Sequence, residues 1–183
     1  MSTSQKRQAT VDSPTWGGSP WRYRVGILLV LSGMLLLLVG PILPWFHTEL
    51  LTPRPELSVL PPTSLLEYLL RLLPANVSAV LAITLTYLIL ALGASLAGIR
   101  TLVVAMRHQD RRGGWADAPV GILASLCGAS ILGLSSVTLN GTVTLDWPSS
   151  RVALDGGYFV TLAGFIVAVV GNGLIALTRW KAV

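Results

Sequence analysis

Four stretches of the 183-residue chain contain no Asp, Glu, Lys, Arg or His: Val25 to Leu43, Ala79 to Ile99, Pro119 to Leu139 and Tyr158 to Thr178. They are 19, 21, 21 and 21 residues long. At about 1.5 Å rise per residue, a helix of that length measures about 30 Å, the thickness of the bilayer hydrocarbon core. Core helices of soluble proteins are usually shorter, and four of them would need a large polar shell. The rest of the chain cannot supply one, because 11% of all residues are charged against about 25% in an ordinary soluble domain. Intrinsic disorder and a soluble enzyme are therefore both excluded as readings. The pattern predicts an all-α membrane protein, a four-transmembrane-helix bundle. Residues 1–24 form a flexible cytoplasmic tail, 25–178 the transmembrane domain and 179–183 a cytoplasmic end. The outer loops are 44–78 and 140–157, and the cytoplasmic loop is 100–118.

The first run is longer than the roughly 7 to 15 apolar residues of a signal peptide and has no A-x-A site after it. It ends in Gly40-Pro41-Ile42-Leu43-Pro44-Trp45-Phe46, prolines followed by aromatics, as at a helix running out at an interface. Ten of the thirteen basic residues fall on one side: Lys6, Arg7, Arg22, Arg24, Arg100, Arg107, Arg111, Arg112, Arg179 and Lys181. Arg54, Arg71 and Arg151 fall on the other. Because cytoplasmic loops retain Lys and Arg, this places both termini in the cytoplasm of a cell with a plasma (inner) membrane. The net charge of +5 is then a topology signal, with anionic lipid headgroups rather than nucleic acid as its partner. Trp45 and Trp147 fit the outer interface as aromatic anchors, and Trp21, Trp115 and Trp180 fit the inner one.

The first outer loop carries Pro53, Pro55, Pro61, Pro62 and Pro74, so its first half should be extended and irregular. From Thr63 the pattern changes. Ser64 precedes an apolar run and Glu67 follows three residues later, as in a capping box. Leucines then surround a Glu67 and Arg71 pair at i, i+4, predicting an interfacial helix stopped by Pro74. In the second outer loop Thr142 to Trp147 alternates, Pro148-Ser149-Ser150 signals a turn and Arg151 to Leu154 resumes. This predicts a small β-hairpin that packs on the first loop or a partner. Asn76-Val77-Ser78 and Asn140-Gly141-Thr142 match the glycosylation pattern, but each touches a span and reads as coincidence.

Helices in lipid associate through close packing and polar contacts. Small residues recur at four-residue spacing as Gly93 with Ala97 and Ala94 with Gly98 in the second span. In the third they are Gly121 with Ser125, Ala124 with Gly128 and Ala129 with Gly133, and in the fourth Gly164 with Ala168. The second and third spans are the favoured packing faces. The first, with Leu35 to Leu38 at its centre, is expected to face lipid over much of its surface. Asn172, between Gly171 and Gly173, is expected to bond across the bundle or to a partner subunit.

Intramembrane ion transport usually leaves an ionisable residue inside a span, and these spans have none. Cys127 is the one cysteine, which excludes an intrachain disulfide and a CxxC pair. His47 and His108 fall on opposite sides of the membrane and cannot share a metal or haem. Glu49, Glu56, Glu67, Asp146 and Asp155 lie on the outer side without catalytic spacing. No catalytic, cofactor-binding or metal-ligating residue is assigned, and no cofactor is expected.

Gly40 to Phe46, together with Gly156-Gly157-Tyr158-Phe159-Val160-Thr161-Leu162-Ala163-Gly164, resembles a broad class of small bacterial four-span membrane proteins. In that class an LPW-type end to the first span and a Gly-rich aromatic start to the last recur, mostly without assigned activity. The resemblance implies a bacterial plasma membrane and adds no catalytic residue. Claudin-like tetraspans share the layout, but the chain lacks their outer-loop cysteine pair and their function is not carried over. The functional expectation is a non-enzymatic accessory or assembly subunit of a larger membrane complex, with membrane lipids and other membrane subunits as partners. The alternatives are a lipid or small-hydrophobe binding or transport protein and, third, an outer-surface lipid-modifying enzyme.

Overall fold

The computed structural model describes residues 20–50, 58–59, 62–74, 76–107, 116–141 and 150–180. Among them, four helices are long and apolar enough to cross a membrane: α1 (Pro20–Val39), α3 (Val77–Arg107), α4 (Asp117–Gly141) and α5 (Gly156–Trp180). A fifth, α2 (Leu65–Leu72), is short. α3, α4 and α5 extend beyond their uncharged runs at both ends, and α1 does so at its start only. The largest extension is that of α3, which continues through Arg100 to Arg107, so most of the first half of the expected cytoplasmic loop is helical. Charged residues do not end a helix as proline does; they end only the part that hydrocarbon tolerates.

The closest packing joins α1 to α5, which run antiparallel. Gly26, Gly33 and Gly40 recur every seven residues, as do Gly157, Gly164 and Gly171. Seven residues are close to two helical turns, so each set lies along one face. The two faces meet level by level. A β-carbon at Gly33 would lie 2.9 Å from the Gly164 carbonyl oxygen, and one at Gly171 would lie 2.8 Å from both the Gly26 carbonyl oxygen and the Val30 nitrogen. Backbone therefore touches backbone, with Val30, Leu37, Ala168 and Ile175 buried beside the seam. This differs from the expectation for the first span. Of its central leucines, Leu35 and Leu38 are exposed but Leu37 is buried, and the face that Leu37 shares carries the tightest contact in the bundle.

The other helix contacts are made at small residues of α3 and α4. Gly93 of α3 meets Ala124 of α4, and Gly98 of α3 meets Val30 and Leu31 of α1. Gly121 and Gly128 of α4 admit Asn172 and Phe165 of α5. Gly133 has nothing within 4 Å of a β-carbon built on it and joins no such contact among the described residues.

At the end of the bundle away from the chain termini, the two connections build one sheet. Strand β1 (Pro44–Leu50) is central. β4 (Ser150–Leu154) pairs antiparallel along one edge, from Phe46 opposite Leu154 to Leu50 opposite Ser150. Two short strands share the other edge. β2 (Ser58–Val59) lies opposite Glu49 and Leu50, and β3 (Thr63–Ser64) lies opposite Pro44 and Phe46. Pro44 to Leu50 is thus extended as expected and paired on both edges, with a register shift between Pro44 and Phe46, while 51–57 lies outside the described residues. Of the expected hairpin the second half is described, and it packs on the first connection as expected. Arg151 to Leu154 is a strand whose partner is β1, α4 continues to Gly141, and 142–149 lies outside the described residues. β1 offers this strand five paired positions, next to the start of α5.

The α2 helix follows β3 directly. Ser64 caps it by accepting from the Glu67 amide at 3.1 Å, and the Glu67 carboxylate turns instead to Arg71. The helix stops before Pro74. Asn76 caps α3 in turn, its Oδ1 accepting from the Ala79 amide at 3.0 Å and the Ser78 hydroxyl at 2.9 Å. A cap and a glycosylation motif share the same Asn-x-Ser letters, and here the side chain acts as a cap.

Gly33→Ala and Gly171→Ala each push backbone against backbone. Each is expected to lower stability by about 1–3 kcal/mol, read as a lower midpoint of thermal unfolding in detergent. Gly173 has open space around it, so Gly173→Ala should be neutral or stabilising by up to about 1 kcal/mol.

Candidate functional site: an apolar cleft between two helices

Contact between α3 and α4 at Gly93 and Ala124 leaves a cavity of about 310 Å³ between the same helices on the sheet side. Ala82, Ile83, Thr86, Tyr87 and Leu90 line it from α3, and Gly128, Ile131 and Leu132 from α4. Phe165 of α5 forms the back, while Trp45 of β1 and Leu65 of α2 close the sheet end. Ala82, Ile83, Thr86 and Ile131 are exposed, which makes these residues the mouth of a lateral cleft.

Its inner surface is apolar because the polar atoms of the lining side chains are engaged elsewhere. The Trp45 indole donates to the Gly40 carbonyl at 2.8 Å, and the Tyr87 hydroxyl donates to the Leu37 carbonyl. Both acceptors lie where α1 runs into its terminal 3₁₀ turn, Gly40–Ile42. A proline at 41 has no amide hydrogen, so this turn cannot continue the α-helical ladder there. The Phe165 ring packs edge-on to Tyr87 with centroids 6.5 Å apart, in space that Gly128 leaves open. Trp45 packs edge-on to Tyr158, centroids 5.8 Å apart, and the Tyr158 hydroxyl donates to the Leu132 carbonyl. Thr86 carries the remaining hydroxyl of the lining, and none of the lining residues is charged.

Three polar links hold the frame around the cleft. Asn172 is fully buried, and its Nδ2 donates at 2.9 Å both to the Ala94 carbonyl of α3 and to the Ala168 carbonyl of its own helix. Its Oδ1 lies against Gly121 with no hydrogen-bond partner among the described residues. Asn172 thus stands where α3, α4 and α5 meet. At the termini end, Arg100 Nη1 reaches both carboxylate oxygens of Asp117, at 3.1 and 2.8 Å, and joins α3 to the first turn of α4. An acidic group there also suits the positive end of a helix. At the sheet end, His47 Nδ1 lies 3.0 Å from Asp155 Oδ2, and the Asp155 amide donates to the Trp45 carbonyl at 2.7 Å.

The packing residues named from sequence divide accordingly. Gly93 and Ala124 touch each other, Gly98 and Gly164 receive α1, Gly121 and Gly128 receive α5, and Ala97 is buried beside Val30. Gly128 proves to line the cleft as well. Of the aromatic anchors, Trp21 is 61% exposed at the start of α1, whereas Trp45 is 8% exposed beneath the sheet. Trp45 is therefore a core residue, because the chain folds back over it instead of leaving toward solvent. Trp180 is the last described residue of α5, and Trp115 and Trp147 lie outside the described residues. The acidic residues expected to be solvated in loops include Asp155, which has a partner in His47; Glu56 and Asp146 lie outside the described residues. Among the described residues, no group of three His, Cys, Asp or Glu could hold a metal ion.

The seven-residue glycine periods and the Arg100 pairing escape a search for four-residue motifs. The former is visible in the sequence once that period is tried; the latter needs the length of α3. No protein-family model and no curated protein matches the chain.

Removing the Asn172 amide tests the three-helix junction. Asn172→Ala should cost about 1–2 kcal/mol, as expected for an interhelical hydrogen bond in lipid, measured by unfolding in detergent. Arg100→Gln should lower the same midpoint more than Arg22→Gln, because Arg22 is exposed near the start of α1 whereas Arg100 holds a carboxylate that is 12% exposed.

Proposed function

We propose that this is a non-enzymatic membrane protein serving as an accessory or assembly subunit of a larger complex in a bacterial plasma membrane. One observation carries the reading. Of the four spanning helices α3 is the barest, with 11% of its apolar window buried against 28% to 39% for the others. Its outward face is regular. Leu81, Leu85, Leu88 and Leu92 are 54%, 55%, 47% and 58% exposed and follow the four-and-three spacing of a heptad seam. Exposed leucine is at no disadvantage in lipid, which is equally apolar, so exposure alone says little. The spacing is what suits a partner helix, whose side chains would interlock with such a stripe.

Extraction from native membranes in mild detergent, followed by mass measurement of the intact assembly, is expected to recover the protein with a partner. Leu85→Ala combined with Leu88→Ala should release that partner while the thermal midpoint of the isolated subunit stays within a few degrees. Recovery of the wild-type protein reproducibly alone sinks the reading.

The orientation that belongs to this reading, both termini cytoplasmic, rests on the excess of Lys and Arg at the termini end. In Arg111→Cys, a membrane-impermeant maleimide should label the new thiol only after the cells are opened. Labelling of intact cells would reverse the topology.

A further inference from the structure

We infer that the cleft between α3 and α4 is a binding site for one hydrocarbon chain of a bilayer lipid, entering sideways from the leaflet on the sheet side. The site is independent of the leucine stripe. Ile83, Tyr87 and Leu90 face the cleft and lie about 170–230° around α3 from the mean direction of Leu81, Leu85, Leu88 and Leu92, with Ala82 and Thr86 at the mouth about 90° and 130° from it, at about 100° per residue.

Shape, lining and access together select the occupant. A volume of about 310 Å³ is at the lower end of the roughly 300–1,000 Å³ range of small-molecule sites, suited to part of one chain rather than a whole lipid. Water is a poor occupant of an apolar cavity, because it needs two to four polar partners. The indole of Trp45 and the hydroxyl of Tyr87 are already committed to Gly40 and Leu37, leaving Thr86 to offer the one side-chain hydroxyl. No charge in the lining would hold an ionised ligand. Trp45 and Leu65 line the end toward the sheet, and Trp45 is buried there. The mouth formed by Ala82, Thr86 and Ile131 faces laterally, where the bilayer supplies hydrocarbon at high concentration. A chain inserted there regains the close contacts that α3 and α4 do not make with each other above Gly93 and Ala124.

The test uses the purified full chain in nanodiscs of phosphatidylcholine and phosphatidylglycerol, doped with a phosphatidylcholine carrying a photoreactive diazirine on its acyl chain. Adducts are mapped by peptide mass spectrometry as the probe fraction rises. Thr86 and Ile131 should be labelled in a saturable manner, while Leu85, facing annular lipid, should show labelling that grows in proportion to the probe. Ala82→Phe places a ring in the mouth at an exposed position and should abolish the saturable labelling without changing that at Leu85. Thr86→Phe is a second variant with the same expected loss, and an unchanged thermal midpoint identifies whichever of the two remains folded. Proportional labelling on both faces overturns the inference, since the cleft then holds only annular lipid. Saturable labelling that survives both folded variants also overturns it, because the occupied site must then lie elsewhere.

Discussion

Everything on the sheet side of this bundle is referred to the seam where α1 and α5 meet backbone to backbone. Apolar burial drives little association in hydrocarbon, so the free energy must come from dispersion at short range and from polar contacts. Glycine at Gly26, Gly33, Gly164 and Gly171 removes the side chains that would hold the two helices apart. The seven-residue period brings a glycine to the interface about every two turns on both helices. The other helices then add to this pair. α4 packs on α5 through Gly121 and Gly128, and α3 reaches α1 through Gly98.

That seam also carries the sheet. Gly40 continues the α1 face into the 3₁₀ turn, and its carbonyl accepts from the Trp45 indole. Gly157 continues the α5 face at the other end, where a β-carbon would strike the Leu43 and Pro44 carbonyl oxygens. The Asp155 amide bonds to the Trp45 carbonyl just before α5 begins, and His47 reaches the Asp155 side chain. The first strand is thus tied to the same two helices that form the seam. A strand fixed in this way presents two edges, and the two connections at this end of the bundle supply the strands that cover them. Trp45, named from its position as an interface anchor, becomes instead the closing wall of a cleft because it lies under that sheet.

Polar side chains within the spans serve structure in a medium without water. Tyr87 and Tyr158 each donate to a carbonyl of another helix, and Asn172 joins α5 to α3 while abutting α4. An unsatisfied donor in hydrocarbon costs several kcal/mol, so these groups define which neighbours the helices can have. The cleft exists because this framework fixes α3 against α1 and α4 near Gly93 and Gly98 and leaves its first turns with little cover. α3 consequently carries both features argued to matter for function, the outward leucine stripe and the inward apolar lining.

Membrane insertion was legible without coordinates, because charge exclusion over about 20 residues is a one-dimensional property set by bilayer thickness. The capped helix at Ser64 and the strand at Arg151 to Leu154 were legible for a similar reason, since capping and alternation act over a few neighbouring residues. The pairing of that strand with Pro44 to Leu50 was not, because it depends on where β1 stands in space. The seam lay between these cases: its glycines recur visibly, but nothing along the chain states that two sevenfold rows face each other. The cleft, the Asn172 junction and the Arg100 to Asp117 link belong to tertiary structure alone. Each depends on distances between helices, and those distances are set by which small residues meet.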